Sequence, residues 1–116
     1  MAGAAVEAAR LLAAEGLKAT VAVTASIAPA PLEDLAELLG RVPLAIALEA
    51  HYVTGGLGSL ACEVVAERGL GCRVIRQGVR AVPRGESGSA RHMCSRHGLT
   101  AGAVADAAMS ALDSAR

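Results

Sequence analysis

The residues best placed to do chemistry lie just after an apolar stretch in the middle of the chain. That stretch, residues 42–50, is predicted to be a buried strand, and His51 and Tyr52 follow its carboxyl end. A turn rich in glycine comes next, containing Gly55, Gly56 and Gly58. In open α/β sheets, ligands and partner surfaces meet at the carboxyl ends of the strands. These five residues therefore mark a candidate crevice or interface.

His51 is the titratable residue of this group, and Glu49 stands two residues before it. An imidazole at a strand end can both donate and accept hydrogen bonds in a crevice. It can equally be a structural histidine whose nitrogens are satisfied by the backbone. The residue types leave both interpretations open.

The glycine turn resembles a nucleotide-binding loop in its position between a strand and a helix. It contains no Gly-x-x-x-x-Gly-Lys motif, and Gly-x-Gly-x-x-Gly does not fit because position 61 is alanine. We therefore favour a structural interpretation, in which the glycines allow a tight junction between strand and helix.

A second set of polar residues lies in a long predicted loop over residues 78–89. It contains Arg84, Glu86, Ser87 and Ser89. These side chains could hold an anion, or they could simply form turns and helix caps. The sequence does not distinguish the two.

His92, Cys94 and His97 are residues that bind metals in other proteins. On a helix, Cys94 and His97 would point about 200° and 500° around the axis from His92, so the three side chains would not converge on one ion. We predict no metal site from them. Cys62 and Cys72 are predicted to be small buried hydrophobic residues.

Length and composition predict one domain over residues 1–116. The hydrophobic fraction is 53%, but Tyr52 is the only aromatic residue, so the core must consist of small aliphatic side chains. Eleven basic and eleven acidic residues balance, which gives no net field favouring nucleic acid. The three cysteines are an odd number and contain no Cys-x-x-Cys pair, which indicates a reducing compartment. No segment is typical of a signal peptide or a membrane span. We expect a cytoplasmic protein that contacts neither membrane nor nucleic acid.

Hydrophobic periodicity predicts that helices and strands alternate along nearly the whole chain. The predicted helices cover residues 2–15, 31–39, 58–68, 90–96 and 100–115. The predicted strands cover residues 19–25, 42–50 and 72–76. This alternation predicts a three-layer α/β/α domain with a mainly parallel sheet.

Six segments, taken in order, resemble the carboxyl-terminal domain of transketolase-type thiamine diphosphate enzymes. They cover residues 4–16, 27–29, 48–59, 76–79, 85–89 and 97–100. That family includes transketolases, deoxyxylulose phosphate synthases and the β subunits of 2-oxo acid dehydrogenases. The resemblance implies a fold like that of the transketolase C-terminal domain.

The resemblance also implies that the cofactor and a divalent cation lie between two other domains. Alone, the chain should bind no cofactor and transfer no two-carbon ketol unit. It would be the noncatalytic C-terminal subunit of a split transketolase-like enzyme, in a hetero-oligomer with a chain that binds thiamine diphosphate and Mg²⁺. An alternative is a stand-alone binding or regulatory module that takes a small anionic ligand near His51. A further alternative is an independent enzyme using His51 or Cys94.

In the family, an apolar strand comes immediately before the first helix. The sequence of this chain shows the helix but not that strand. By the family's strand order, that strand lies between residues 20–24 and 44–49. Unpaired backbone groups inside a sheet cost about 1–3 kcal/mol each. We therefore expect that another chain donates the strand, that the two flanking strands pair directly, or that the protein starts upstream.

Overall fold

Seven regular elements occur within residues 1–81 and 84–115, the part of the chain that the computed structural model describes. The helices are α1 (Ala2–Ala14), α2 (Leu32–Gly40), α3 (Leu57–Arg68), α4 (Ala90–Arg96) and α5 (Ala101–Asp113). The strands are β1 (Leu44–Tyr52) and β2 (Arg73–Val79). Val82 and Pro83, in the middle of the predicted loop, and Arg116 lie outside the described residues.

The helices follow the local signals of the sequence, and all five predicted helices are confirmed. The hydroxyl of Thr100 accepts a hydrogen bond from the backbone N–H of Ala103 at the start of α5 (3.3 Å). Gly69 ends α3 in the left-handed conformation, with φ of 63°. These caps explain why local sequence was sufficient to find the helices.

β1 and β2 form a parallel pair joined through α3. Residues 44–48 pair in register with residues 73–77, and the pairing becomes irregular before Tyr52 meets Val79. At this irregularity the strands approach closely: a Cβ on Gly78 would lie 2.8 Å from the carbonyl oxygen of His51. A parallel pair needs a crossover connection, and α3 provides it.

The sheet separates two layers of helices, which confirms the predicted three-layer fold. On one face, α2 and α3 contribute Leu35, Leu39, Ala61 and Val64 to a core cluster that also contains Cys72. On the other face, α1 and α5 pack together through Leu12, Ala105 and Ala108, against Leu44 and Ile46 of β1. The small side chains allow the helices to approach closely.

The strand predicted at residues 19–25 is wrong. This segment has no strand pairing, and within the described chain no backbone hydrogen bond joins it to β1. Val23 is 74% exposed and Val21 is 36% exposed. β-branched residues favour an extended backbone, but a strand also needs a neighbouring strand to pair with. The expected direct pairing of the two flanking strands therefore does not occur in this structure.

β1 consequently has a strand neighbour on one side only, among the residues described. Both strands also extend further than predicted. His51 and Tyr52 were predicted to follow β1, but they are its last two residues. β2 continues to Val79, so the loop before α4 begins later than expected. Each strand is lengthened by pairing with the other, a contact that a local pattern does not contain.

In the described part of the chain, each helix is too short or too polar to cross a membrane.

Candidate functional site

The carboxyl end of β1 carries a buried carboxylate beside an exposed histidine. The side chain of Glu49 is 2% exposed and that of His51 is 59% exposed. His51 Nδ1 lies 2.9 Å from the carbonyl oxygen of Tyr52, and because a carbonyl only accepts, Nδ1 donates. The other ring nitrogen, Nε2, lies 3.7 Å from Glu49 Oε1. His51 is thus partly satisfied by backbone, as the structural interpretation expected, and also faces a carboxylate.

Neither carboxylate oxygen of Glu49 has a hydrogen-bond partner within the described structure. The side chain lies beneath Gly56, where a Cβ would collide with Glu49 Oε1 and would lie 2.5 Å from His51 Cε1. Gly56 is also the N-cap of α3 and provides no side-chain cap. The positive end of a helix dipole favours a nearby carboxylate, so α3 offsets part of the cost of burying this charge.

The glycine turn is held by internal hydrogen bonds. The backbone N–H of Gly55 donates to Ser59 Oγ (2.9 Å), and this hydroxyl donates to the carbonyl of Val53 (3.1 Å). Arg76 Nη1 from β2 donates to the same carbonyl (3.3 Å) and to Ser59 Oγ (3.4 Å). The side chain of Arg76 passes over Gly58, where a Cβ would lie 2.7 Å from its Cγ. The turn is therefore a close-packed strand–helix junction.

An open crevice of about 280 Å³ lies beside the end of β1. Its lining is mostly apolar and consists of Ala50, His51, Tyr52, Val79, Met93, Cys94, His97 and Leu99. The structure thus brings His51 and Tyr52 to Cys94 and His97, which the sequence separates by some forty residues. No hydrogen bond described joins Cys94 to either histidine, and His97 Nε2 is buried without a partner. Such a crevice can accept an apolar group together with one hydrogen-bond donor or acceptor.

None of the predicted loop residues lines this crevice. Glu86 forms a two-fold hydrogen bond with Arg96 of α4, at 2.8 and 3.0 Å. The hydrogen bond from Arg96, and then its charge, lower the pKa of Glu86 below the ordinary value. Ser89 Oγ accepts from the N–H of His92 (3.2 Å) and caps α4. Arg84 and Ser87 are exposed.

The cysteines are all free thiols. Cys72 is buried in the core as predicted, and burial raises the pKa of its thiol. Cys62 is half-buried. In the residues described, no three His, Cys, Asp or Glu side chains are grouped where they could hold a metal ion.

Sequence reasoning missed Arg76 and Gln77, which lie in the middle of β2. Gln77 Nε2 donates to the carbonyls of Gly98 and Ala103, and its Oε1 is buried without a partner. Counting charges segment by segment, and not only over the whole chain, would have shown that arginines are concentrated in and after β2.

Comparison with known proteins agrees with this architecture. The family model for the transketolase C-terminal domain matches residues 1–104. A solved chain described as a split gene transketolase, inactive beta4 tetramer, superimposes with a TM-score of 0.87 at 38% identity, covering 97% of this chain and 36% of that one. The chain belongs to the transketolase C-terminal domain family. The resemblance drawn from the sequence is therefore confirmed.

Two curated relatives give the range of proteins in which this domain occurs. A subunit of the apulose-4-phosphate transketolase of Actinobacillus succinogenes is 34% identical over 105 residues, which are 90% of this chain and 34% of that protein. The 1-deoxy-D-xylulose-5-phosphate synthase of Dechloromonas aromatica is 41% identical over 83 residues, 70% of this chain and 13% of that protein. The chain therefore spans about a third or less of the length of these relatives.

Proposed function

We propose that this chain is the C-terminal, noncatalytic part of a split transketolase-like enzyme that transfers two-carbon ketol units. Its role is to assemble with a chain that binds thiamine diphosphate and to complete the enzyme's structure. The main support is the match of nearly the whole chain to one subunit of an apulose-4-phosphate transketolase, of which it covers 34%. Residues 1–116 would act as one domain of that assembly, in the cytoplasm.

The chain's own residues do not fit thiamine diphosphate. In the residues described, no three His, Cys, Asp or Glu side chains are grouped to hold a metal ion without ligands from a bound phosphate. The glycine turn is also unsuited to a diphosphate, since Ser59 occupies the N–H of Gly55 and Arg76 packs over Gly58. We therefore assign cofactor and metal to the partner chain in the complex.

The free edge of β1 and the exposed apolar segment beside the sheet support assembly. Residues 19–25 expose Val21 and Val23, and Ile27 just beyond them is 42% exposed. An unpaired strand edge and exposed β-branched residues are suited to receive a strand from the rest of the enzyme. In this assignment, another chain donates the strand that the family has before its first helix, which is one of the three expectations from the sequence.

The carboxyl end of β1 would form a second part of the interface. Tyr52 is 48% exposed, and Glu49 needs a hydrogen-bond donor that the described residues do not provide. We assign the contact to His51, Tyr52 and the junction glycines Gly55, Gly56 and Gly58. Of the loop residues, the exposed Arg84 and Ser87 are available for contact, whereas Glu86 is engaged by Arg96.

The test is a native pull-down with this chain as bait, followed by mass spectrometry and an assay of ketol transfer with thiamine diphosphate and Mg²⁺. We expect a stoichiometric partner with thiamine-binding domains, and activity only when both chains are present. Val23→Glu should abolish capture of the partner chain, because it places a charge where the partner's strand would pair. Val6→Glu, which adds the same charge at an exposed position of α1, is the matched control.

The contrary result is a monodisperse chain that captures no such partner. If that chain also bound a small anion at the crevice beside His51, the alternative of a stand-alone binding or regulatory module would replace the proposal. Activity of the chain alone that is lost on His51→Ala or Cys94→Ala would instead indicate an independent enzyme.

A further inference from the structure

Glu49 is the one buried charged residue in the part of the chain that the structure describes, and its side chain is only 2% exposed. Neither of its carboxylate oxygens accepts a hydrogen bond from the described residues. Burying an ionised carboxylate costs far more free energy than burying a neutral polar group, unless donors or an opposite charge compensate it. The contacts of the described chain therefore leave this buried charge uncompensated.

The basic residues in the same part of the chain are engaged elsewhere. Among positions 1–68, eight acidic residues outnumber four basic ones. Three of the four basic residues form ion pairs with exposed carboxylates, namely Arg10–Glu7, Arg41–Glu37 and Arg68–Glu33. The fourth, Lys18, is exposed and forms none of the ion pairs found among the described residues. An excess of negative charge favours a partner surface that carries positive charge.

Arg76 of β2 is an arginine that shares a face of the sheet with Glu49. It pairs with Ala47, two residues before Glu49, and side chains alternate between the faces of a strand. Its guanidinium, however, bonds the carbonyl of Val53 and the hydroxyl of Ser59, at 3.3 and 3.4 Å. No ion pair within the described residues joins it to Glu49. Arg76 is therefore committed to the glycine turn.

His51 is the exposed side chain that lies against Glu49. Its side chain is 59% exposed, and its Nε2 lies 3.7 Å from Glu49 Oε1. The two side chains together fill the space in which a Cβ of Gly56 would lie. The hydrogen bond described for the imidazole runs from Nδ1 to the carbonyl oxygen of Tyr52 (2.9 Å). Exposed side chains change rotamer readily, and rotation of His51 would uncover Glu49 Oε1.

We propose that Glu49 receives an arginine side chain of the thiamine-binding chain when the two chains assemble. This inference rests on the proposed function and names the chemistry of one contact in its interface. A guanidinium presents paired N–H donors that match the two oxygens of a carboxylate, and it is more weakly hydrated than an ammonium group. His51 turns aside to admit it. Assembly thus converts an uncompensated buried charge into a buried ion pair.

The carboxylate of Glu49 then has opposite effects on the isolated chain and on the complex. Glu49→Gln keeps the shape of the side chain and removes its charge. It should raise the melting temperature of the isolated chain by about 3 °C or more, because a neutral amide costs less to bury. It should also weaken binding of the partner by about tenfold or more, because the ion pair is lost.

Thermal unfolding followed by circular dichroism measures the first effect. Calorimetric titration with the partner chain captured in the pull-down measures the second. Glu63→Gln is the matched control, because it removes the same charge from an exposed position of α3. It should change the melting temperature by less than about 2 °C and the affinity by less than about twofold.

A structure of the complex identifies the arginine, whose guanidinium should lie about 3 Å from a carboxylate oxygen of Glu49. A double-mutant cycle then tests the pair. Replacing that arginine by Gln should weaken binding to the wild-type chain by about tenfold or more. The same replacement should have little effect on binding to Glu49→Gln, because the interaction is already lost.

Equal binding of the partner by wild type and Glu49→Gln would overturn this contact and leave the proposed function standing. An unchanged or lower melting temperature of Glu49→Gln would also overturn it, because the carboxylate would then be compensated within the isolated chain. A lysine or a backbone N–H bonded to Glu49 in the complex would refute the arginine. Failure of the wild-type chain to capture a partner would refute the proposed function, and this contact with it.

Discussion

At the scale of single residues, Glu49 shows how closely the end of β1 packs against the start of α3. Its carboxylate is buried, lacks hydrogen-bond partners among the described residues, and lies beneath Gly56 at the start of α3. Gly56 has φ of −102°, a value that any residue adopts, so its backbone conformation does not require glycine. The requirement comes from the Glu49 and His51 side chains that occupy the space of a Cβ.

Gly56→Ala should therefore destabilise the chain by about 1–3 kcal/mol through overpacking. Gly102→Ala is the matched control, because a Cβ there meets nothing within 4 Å and the residue lies inside α5. That change should leave the free energy of unfolding equal or raise it by up to about 0.5 kcal/mol. Urea unfolding measures both, and a Gly56→Ala protein as stable as the wild type would refute the close contact.

Glu33 at the start of α2 and Arg68 at the end of α3 form an ion pair whose effect depends on pH. The hydrogen bond from Arg68, and then its charge, lower the pKa of Glu33 from 4.5. A carboxyl whose pKa is lower in the folded state stabilises the fold above its unfolded pKa. That stabilisation is lost as the pH falls through the folded pKa.

We therefore expect the melting temperature of the wild type to fall more steeply than that of Glu33→Gln between about pH 5 and pH 3. Glu63→Gln, on the exposed side of α3, is the control and should retain the wild-type slope. Parallel slopes for wild type and Glu33→Gln would show that the pair does not contribute. Since both groups are exposed, high salt should reduce the difference.

At the scale of elements, the main feature is the segment between α1 and α2. Residues 19–25 have the β-branched composition of a strand but no strand partner among the described residues. Leu17, just before them, packs with Leu44 and Ile46 on the α1–α5 face, whereas α2 packs on the opposite face. The segment thus connects one face of the sheet to the other.

Hydrogen–deuterium exchange can show whether this segment is completed by a partner. In the isolated chain, the amides of residues 19–25 should exchange rapidly, while those pairing β1 with β2 exchange slowly. Addition of the partner chain should protect residues 19–25 together with the free edge of β1. Slow exchange of residues 19–25 in the isolated chain would mean that the segment is already paired.

At the scale of the whole molecule, the fold separates its surfaces by chemistry. One edge of the sheet is apolar and unpaired, within the part of the chain described, which suits assembly with a larger enzyme. The part of the chain that contains β2 and α4 carries six of the ten arginines. This domain spans about a third or less of the length of the relatives that it matches.

Much of this molecule could be predicted from local sequence. The five helices follow from apolar spacing and from caps such as Thr100 and Gly69, and the glycine junction follows from its position between a strand and a helix. The family is recognisable from short motifs in order. Each of these signals depends on residues a few positions apart, so the sequence alone determines it.

The tertiary structure decided what depends on residues far apart in the chain. It left residues 19–25 unpaired among the described residues, because a strand exists only with a neighbour to bond, and no local pattern specifies that neighbour. It buried Glu49 beneath Gly56, brought His51 to Cys94, and packed Arg76 over Gly58. Burial and electrostatic fields sum over contacts made in space, and these are set only when the helices and the sheet pack together.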